Sequence, residues 1–408
     1  MVHRFQTALF ALFLGLSVTF IGPAHRALAA DSAQWATVLE NAKGQTVYWN
    51  AWSGDEKINA YIAWVGERVA EEYGVTLRHV KVSDTASVVA RVLAESTAGR
   101  DEGGSVDLVW INGENFLTMK QAELLYGPFT ELLPNTALTD PETNPGLLVD
   151  FTIPTDGLES PWGLSQFVIA YDTARVPEPP RTLEAMAEWI TANPGRFAYP
   201  APPDFIGTTF LKQILAMSVA DPAVLAAPVE EAQFNEVTAP LWAWLETVRP
   251  GLWRKGEVFP TSGPALRSLL NDGEVDFYLS FHAGDATSAI AQGQIPETVR
   301  TYIPEPGSIA NTHFVAIPFN ANAKDGAKVV ANFLLSPEAQ ARKFDPTYWG
   351  DDTVLSLELL NPKQRDAFDA VPPGIATLAP NQRGLALPEP HPSWMSRIEK
   401  EWHNRHSL

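Results

Sequence analysis

The chain has 408 residues, of which 45% are hydrophobic and 10% aromatic, and its 48 acidic and 29 basic residues give a formal net charge of −19. This composition excludes an intrinsically disordered chain, and the length predicts two or three domains. The acidity argues against a nucleic-acid partner, because phosphate binding needs a basic surface. The absence of cysteine excludes disulfides, thiolate metal sites, a cysteine nucleophile and a lipidated cysteine.

The amino terminus has the features of an export signal. His3 and Arg4 start a short basic region, residues 8–22 are nearly all apolar, and Ala27-Leu28-Ala29 supplies the small residues of a cleavage site. The apolar run is shorter than the roughly twenty residues that a membrane-spanning helix needs. We therefore expect residues 1–30 to be a cleaved signal peptide and the mature protein to lie free in the periplasm, without a lipid anchor. An uncleaved anchor or a buried helix is the alternative.

Strands and helices alternate after this signal. A β-branched and aromatic run predicts a strand over residues 46–50, and apolar residues at three- and four-residue steps predict a helix that ends before Gly74. Period-two alternation predicts a strand over 75–82, which a helix over 87–97 and a strand over 106–111 follow. This order predicts right-handed βαβ units and a parallel sheet.

The second half repeats this alternation after a stretch of different composition. Residues 128–161 are rich in Pro, Thr, Asn and Asp, which predicts a long irregular segment. Strands are then predicted at 162–171, 197–200, 275–281 and 312–318, and helices at 183–190, 209–219, 241–248, 327–335 and from Ser336 onward. The Pro-rich segment 371–392 is expected to pack as an ordered tail.

Two similar α/β units, one of them discontinuous in sequence, predict a two-lobed α/β fold with strands that cross at a hinge. We assign residues 31–165 and 300–408 to lobe 1 and residues 166–299 to lobe 2. A ligand would lie between the lobes, outside the carboxyl ends of the strands.

Several segments resemble the YnjB-like family of ABC-transporter solute-binding proteins, which is related to iron-, polyamine- and thiamine-binding proteins. They are VYWNAWSGDEKIN, VDLVWINGENF, PWGLSQFVIAYD, THFVAIP and ANFLLSPEAQ, and the resemblance covers essentially the whole mature chain. It implies a type II periplasmic binding fold, no catalysis, and delivery of a small-molecule ligand to an ABC permease in the inner membrane. We expect a monomer.

The loops that follow the predicted strands, together with the crossing strand, supply the candidate ligand-binding residues. They are Trp52, Ser53, Gly54, Trp110, Asn112, Glu114, Asn115, Trp162, Gln166, Asp204, Gly207, Thr208, His282 and Asp285. Structural roles remain open for them: Ser53 can serve as part of a helix cap, Trp110 as a core residue and His282 as a hydrogen-bonded structural histidine.

The sequence predicts where the ligand binds but leaves two alternatives for its charge. Trp-rich loops with Glu114, Asp204 and Asp285 offer cation–π and charge partners, which favours an organic cation such as thiamine or a polyamine. A cleft lined by helix amino termini, with Ser53 and Gly54 offering hydroxyl and N–H groups, would instead bind an anionic or phosphorylated ligand.

Enzymatic motifs are missing from the sequence. There is no GxGxxG, P-loop, HExxH, GxSxG or SxxK motif, and the mature histidines show no metal-ligand spacing. We therefore predict a binding protein without catalysis, cofactor or metal. A secreted glycan hydrolase that uses two of the many carboxylates and an envelope interaction or chaperone module are the alternatives.

Overall fold

A computed structural model of the protein describes residues 23–372, 374–378 and 382–406. The apolar run of the predicted signal peptide, residues 8–22, lies outside this range, so the export signal stays a prediction. Within the described residues, no helix combines the length and the apolar character that crossing a membrane requires.

The structure is an α/β protein with two main sheets. Its helices are α1 Pro23–Ala42, α2 Glu56–Tyr73, α3 Ala86–Thr97, α4 Glu114–Gln121, α5 Leu183–Ala192, α6 Phe205–Ser218, α7 Glu231–Val248, α8 Gly263–Asn271, α9 Asp285–Ala291, α10 Lys324–Leu334, α11 Pro337–Phe344, α12 Pro362–Asp369 and α13 Pro392–His406. Its strands are β1 Thr46–Trp52, β2 Thr76–Val82, β3 Leu108–Ile111, β4 Val149–Asp150, β5 Ile153–Pro154, β6 Glu159–Gln166, β7 Val168–Asp172, β8 Phe277–Ser280, β9 Val299–Tyr302, β10 Gly307–Ala316 and β11 Leu385–Leu387.

The first sheet has the order β2-β1-β3-β10-β11, with β6 also paired to β10. β1 is parallel to β2 and β3, as the βαβ pattern predicts, whereas β10 is antiparallel to β3 and β6. Because parallel strands end at one edge, the loops after β1 and β3 emerge on the same side.

The second sheet consists of β8, β7 and β9, with β7 central and antiparallel to both neighbours. The chain passes between the two sheets at Phe167, which separates β6 from β7, and again through residues 303–306, which separate β9 from β10. The segment predicted as one strand over 162–171 is therefore two strands in two sheets.

Local signals explain where α2 and α11 start and end. Asp55 caps α2 by accepting the backbone N–H of Lys57, and Gly74 ends this helix in the left-handed conformation at φ 67°. Ser336 caps α11, with Pro337 at its first position. These helix boundaries confirm the predictions from the sequence.

Residues 197–200 do not form the predicted strand. They are buried but run as irregular chain, tied by isolated backbone bonds such as Trp253 N to Phe197 O at 2.8 Å. Pro200, the last of these residues, lacks an N–H, so a hydrogen-bonded ladder cannot extend through it. The predicted strand was wrong because apolar burial alone does not distinguish a strand from buried loop.

Each sheet carries its own apolar core. Trp49, Ile62 and Val330 belong to the core of the first sheet, and a smaller core lies between β3, α3 and α4. The core of the second sheet includes Phe210 and Phe277, and it also takes in Trp402 of α13. The lobe boundaries given above stay a prediction, to which the packing adds that α13 lies against the second core.

Candidate ligand-binding site

A cleft of about 180 Å³ lies between loops that belong to the two sheets. One wall is the β1–α2 loop of the first sheet, and the other comprises the start of α8 and the β8–α9 loop of the second. Its lining residues are Trp52, Gly54, Asp55, Glu56, Lys57, Ile58, Ile206, Gly263, Pro264, Arg267, Leu279, Ser280, Phe281, His282, Asp285, Ser288, Gln292, Gln294 and Trp349. A concave site between two lobes is where small solutes bind in α/β proteins.

The shape of the β1–α2 loop depends on one glycine. The indole of Trp52 folds back over Gly54, so that a Cβ at position 54 would lie 2.2 Å from the ring. Glycine is therefore required for Trp52 to cover the end of the loop, and this places the indole in the cleft wall.

Lys57 reaches across the cleft from the first turn of α2. Its ammonium donates to the Ser288 hydroxyl of α9 and, at 2.9 Å, to the Pro346 carbonyl. Burial lowers the pKa of Lys57, against the opposing influence of Asp55 and Asp285. No carboxylate of the described residues lies within 4.0 Å of this ammonium, so its charge is not neutralised by an ion pair.

The second cation of the cleft, Arg267, is fully engaged. Its guanidinium lies 2.7 Å from Asp285 in its own lobe and 3.8 Å from Asp55 across the cleft. The pKa of Arg267 is raised: burial alone would lower it, but the two carboxylates more than compensate. Asp285 is thus committed to Arg267.

The two walls touch at a pair of glycines. A Cβ on Gly284 would lie 2.6 Å from the Gly350 carbonyl oxygen, and a Cβ on Gly350 would lie 2.9 Å from Gly284 Cα. The β8–α9 loop and the 346–351 loop therefore approach with backbone against backbone. Trp349 of the second of these loops lines the cleft, and its buried indole N–H has no acceptor within the described part of the chain.

Beneath the cleft lies a buried polar network around Ser165 of β6. The Ser165 hydroxyl donates to Asp351 at 2.8 Å and lies 3.0 Å from His282 Nδ1 and 2.9 Å from His313 Nε2. Lys343 donates to the other carboxylate oxygen of Asp351 at 2.6 Å. His282 comes from the β8–α9 loop beside the second sheet. The other members come from β6, β10, α11 and the loop after α11, which pack with the first sheet, so this network joins the two lobes.

The charges of this network are fixed by its ion pairs. Burial alone would raise the pKa of Asp351, but Lys343 and the two histidines hold it well below its ordinary value. Burial lowers the pKa of His313 below its ordinary value, whereas for His282 the hydrogen bond and charge of Asp351 outweigh burial and raise the pKa. Asp351 is therefore an anion matched by an adjacent ammonium.

Neither a metal centre nor a proton relay is the best description of these residues. His282 Nδ1, His313 Nε2 and an Asp351 oxygen lie within 4.8 Å of one another, but Lys343 already compensates the carboxylate and the Ser165 hydroxyl fills the space between them. In a Ser-His-Asp relay, the serine and the aspartate contact opposite nitrogens of one imidazole. Here Ser165 and Asp351 meet the same nitrogen of each histidine.

A second cluster between the lobes, which we name the Lys212 junction, comprises Lys212, Glu389, Asn311, Phe151 and Phe205. The buried ammonium of Lys212 donates to Glu389 at 2.6 Å, and Asn311 donates to the other oxygen of Glu389 at 3.0 Å. The rings of Phe151 and Phe205 have their centres 4.6 and 5.5 Å from Lys212 Nζ. This is a closed cation–π cage with a matched carboxylate.

The carboxyl-terminal segment completes this junction. β11 pairs with the start of β10, and α13 packs against both α4 of the first lobe and α6 of the second. Burial raises the pKa of Glu114, at the start of α4, to about 7. This end of the interface between the lobes is therefore filled by the protein's own side chains.

Four of the predicted site residues line the cleft: Trp52, Gly54, His282 and Asp285. Ser53 lies beside it, with its backbone N–H bonded to Val82 O at 3.1 Å. The remaining predicted residues lie outside this lining: Trp110, Asn112, Glu114, Asn115, Trp162, Gln166, Asp204, Gly207 and Thr208.

Residues of this second group have other contacts in the structure. Trp162 is fully buried among Trp49, Trp110 and Trp349, with ring centres 4.9–5.4 Å away. Asn112 donates to the Thr312 carbonyl at 2.7 Å, and Gln166 donates to two carbonyls of the carboxyl-terminal segment.

The predicted residues around the start of α6 also have structural contacts. Asp204 caps α6, and burial raises its pKa to about 6 despite its bonds from Ile206 and Gly207 N–H. A Cβ at Gly207 would lie 2.1 Å from Pro200 O, so the glycine permits close packing of the loop. Thr208 donates to Glu399 of α13 at 2.7 Å.

Sequence reasoning missed Lys57, Arg267, Ser288 and Trp349. Lys57 lies in the first turn of α2 and Arg267 one turn inside α8, whereas the predicted site residues were taken from loops and from the crossing strand. A signal was available for Lys57, because first-turn residues of a helix that follows a strand point towards the carboxyl edge of the sheet. None was available for Trp349, which reaches the cleft through tertiary packing.

Comparison with known proteins gives consistent results. Residues 64–350 match the family described as bacterial extracellular solute-binding protein. The chain is 44% identical to Protein YnjB of Escherichia coli strain K12 over 379 residues, which cover 93% of this chain and 95% of that protein.

Solved structures with this fold include periplasmic binding proteins. AfuA of Actinobacillus pleuropneumoniae with bound fructose-6-phosphate has a TM-score of 0.62 at 14% identity, covering 89% of this chain and 99% of that one. The spermidine/putrescine-binding protein PotD of Streptococcus pneumoniae gives 0.59 at 15% identity, covering 89% and 98%. The ferric binding protein of Campylobacter jejuni gives 0.57 at 14% identity, covering 88% and 98%. At these identities the likeness concerns the fold, and it confirms the type II periplasmic binding architecture.

Proposed function

The chain belongs to the family of bacterial extracellular solute-binding proteins, and from this premise we propose that its cleft captures one small solute by closure of the two lobes. The protein is a solute-binding component of an ABC transporter of the YnjB-like group. We place the binding site at the cleft between the β1–α2 and β8–α9 loops. Delivery goes to an inner-membrane permease, and the protein works as a periplasmic monomer after removal of residues 1–30.

The observation that carries this proposal is the set of polar groups that face each other across the cleft. Lys57 contacts Ser288, and Asp55 lies 3.8 Å from Arg267. The loops that carry these groups belong to different sheets, between which the chain makes two short crossings, at Phe167 and at residues 303–306, besides the carboxyl-terminal segment that packs on both lobes. Such a pair of short crossings suits hinge motion, in which a few residues absorb the change in backbone angles.

Several relatives suggest classes of solute for testing. The neighbours include proteins named for a sugar phosphate, for polyamines and for ferric iron. The carboxylates that motivated an organic cation for this chain have partners of their own: Asp285 binds Arg267, Asp204 caps α6, and Glu114 lies near the Lys212 junction. Of the acids in the cleft lining, Asp285 is paired with Arg267 and Asp55 caps α2, while Glu56 is exposed to solvent.

Ligand binding is tested on protein that has been unfolded and refolded to remove any co-purified solute. A thermal-shift screen over thiamine, polyamines, sugar phosphates, sugars and simple anions should yield a compound that stabilises the protein. A solute at 100 times its Kd adds about 2.7 kcal/mol to the free energy of unfolding. Small-angle scattering should show a smaller radius of gyration with that compound.

A matched pair of variants tests the place of binding. Gln292→Trp puts a large side chain at the exposed rim of the cleft and should abolish the thermal shift. Ser268→Trp, on the exposed face of α8, should leave it unchanged. Equal loss in both variants, or equal retention, would place the solute elsewhere. Failure of the wild type to bind or close with any compound would remove the functional proposal.

A further inference from the structure

The cleft holds hydrogen-bond donors and positive charge that the protein itself does not use. Resting on the proposed function, we infer that the solute carries an oxyanion group, such as a carboxylate, phosphate or sulfonate, which binds at Lys57. Both charge and donor capacity at Lys57 point to this chemistry.

Three buried ammonium groups of this protein are each paired with a carboxylate. Lys212, Lys328 and Lys343 are each at most 5% exposed, and each lies 2.6–2.7 Å from a carboxylate. Burying an ammonium without a counter-ion is costly, so such pairing is expected. Lys57 is half-buried, yet its contacts are a hydroxyl and a carbonyl, both neutral.

Donor capacity supports the same conclusion. An ammonium has three N–H donors, and Ser288 and Pro346 account for two of those on Lys57. A ligand that supplies an acceptor oxygen and negative charge would use the third N–H donor of Lys57 and compensate its charge.

The neighbouring acids do not reverse this conclusion. Asp55 is occupied as the cap of α2, Asp285 as the partner of Arg267 at 2.7 Å, and Asp345 as the acceptor of two hydrogen bonds from Thr347. Glu56 is exposed to solvent. Arg267 on the opposite wall is already paired with Asp285 and lies near Asp55, which leaves the Lys57 ammonium as the cation that an oxyanion would bind.

Calorimetry on refolded protein tests the inference with panels of carboxylates, organic phosphates, sulfonates, amines and neutral sugars. We expect binding within the oxyanion panels, with affinity that falls as salt rises from 20 to 500 mM. Comparison of the carboxylate, phosphate and sulfonate panels shows which of these three groups the solute carries. Lys57→Met should weaken binding roughly 10-fold to 100-fold, the effect of losing a charge-assisted hydrogen bond.

Lys324→Met provides the matched control. Lys324 is also partly buried without a carboxylate within 4.0 Å among the described residues, but it packs on Tyr126 outside the cleft. Its replacement should change affinity less than twofold. If the bound solute is an amine or a neutral sugar, and Lys57→Met binds it as tightly or more tightly, the oxyanion inference fails while the proposed function stands. If nothing binds in any panel, the function itself fails.

Discussion

The cleft and the Lys212 junction lie at different places between the same two lobes. Each contains a lysine, but only the lysine of the junction is paired with a carboxylate. At the junction, Lys212 is fully buried, paired with Glu389 at 2.6 Å and boxed by two phenylalanine rings. In the cleft, Lys57 crosses between the walls with neutral acceptors alone. The junction is complete without a ligand and the cleft is not. Unmatched charge, more than the number of polar residues, therefore distinguishes the binding end from the structural end.

The strongest test of this difference is removal of the charge that completes the junction. Glu389→Ala leaves the Lys212 ammonium buried without a carboxylate and should lower the free energy of unfolding by about 3–5 kcal/mol. Lys57→Met, at the cleft, should change it by less than about 1 kcal/mol because no ion pair is lost. Urea unfolding of the two variants measures both values.

A double variant serves as the control for the junction. Lys212→Met with Glu389→Leu removes both charges and should recover most of the stability that Glu389→Ala loses. If Glu389→Ala costs no more than Lys57→Met, the distinction between a matched and an unmatched end is wrong.

A smaller effect is expected from the acid beside the junction. Burial raises the pKa of Glu114 to about 7, so its contribution to stability is present below the unfolded value near 4.5 and is lost as pH rises through 7. Glu114→Gln should match the wild type at pH 4.5 and exceed it by about 1–3 kcal/mol at pH 8.

Unfolding measured at several pH values distinguishes this from a general charge effect. Glu102→Gln, an exposed acid, should show no such pH-dependent gain. A gain for Glu114→Gln that is already present at pH 4.5 would mean that Glu114 does not titrate as its burial implies, and the junction would hold a second charged carboxylate.

The smallest expected effect concerns the contact that lets the cleft close. Gly284→Ala places a methyl group 2.6 Å from the Gly350 carbonyl, so the two loops must separate. Overpacking of this kind costs roughly 1–3 kcal/mol, and here the cost falls on the arrangement in which the two loops touch. We expect closure on a solute to require this arrangement, so solute affinity should fall roughly 10-fold.

Gly66→Ala in α2 is the control for that substitution, because its added methyl group would make an ordinary contact at 3.4 Å with Leu77. Calorimetry and small-angle scattering should give wild-type values for it. Unchanged affinity in Gly284→Ala would mean that the glycine contact plays no part in closure.

Local patterns in the sequence were sufficient for most of lobe 1. The amphipathic spacing of α2 and the caps at Gly74 and Ser336 are consequences of short-range chemistry, and the parallel pairing of β1 with its neighbours follows from the βαβ order. The break at Phe167 was not predictable, because residues 162–171 are mostly apolar apart from Ser165 and Gln166, and their division between two sheets depends on distant partners in β8 and β10.

The sequence predicted which loops line the cleft, but it did not predict which charged side chains there are already paired. Trp52, Gly54, His282 and Asp285 follow strand ends, and position in the fold was enough to select them. Asp285 and Glu114 looked alike as free carboxylates in the sequence, yet one binds Arg267 and the other is buried near α13. Only the folded chain reveals which charges are already satisfied.

The Lys212 junction also has a consequence for design. An ammonium between two phenylalanine rings and a carboxylate is the arrangement by which proteins recognise alkylamines, and here the amine is covalently part of the chain. The Lys212 side chain thus occupies the position that a bound alkylamine would take. Shortening this one side chain would leave an amine-shaped vacancy lined by Phe151, Phe205 and Glu389, so the scaffold contains a ready starting point for an engineered amine sensor.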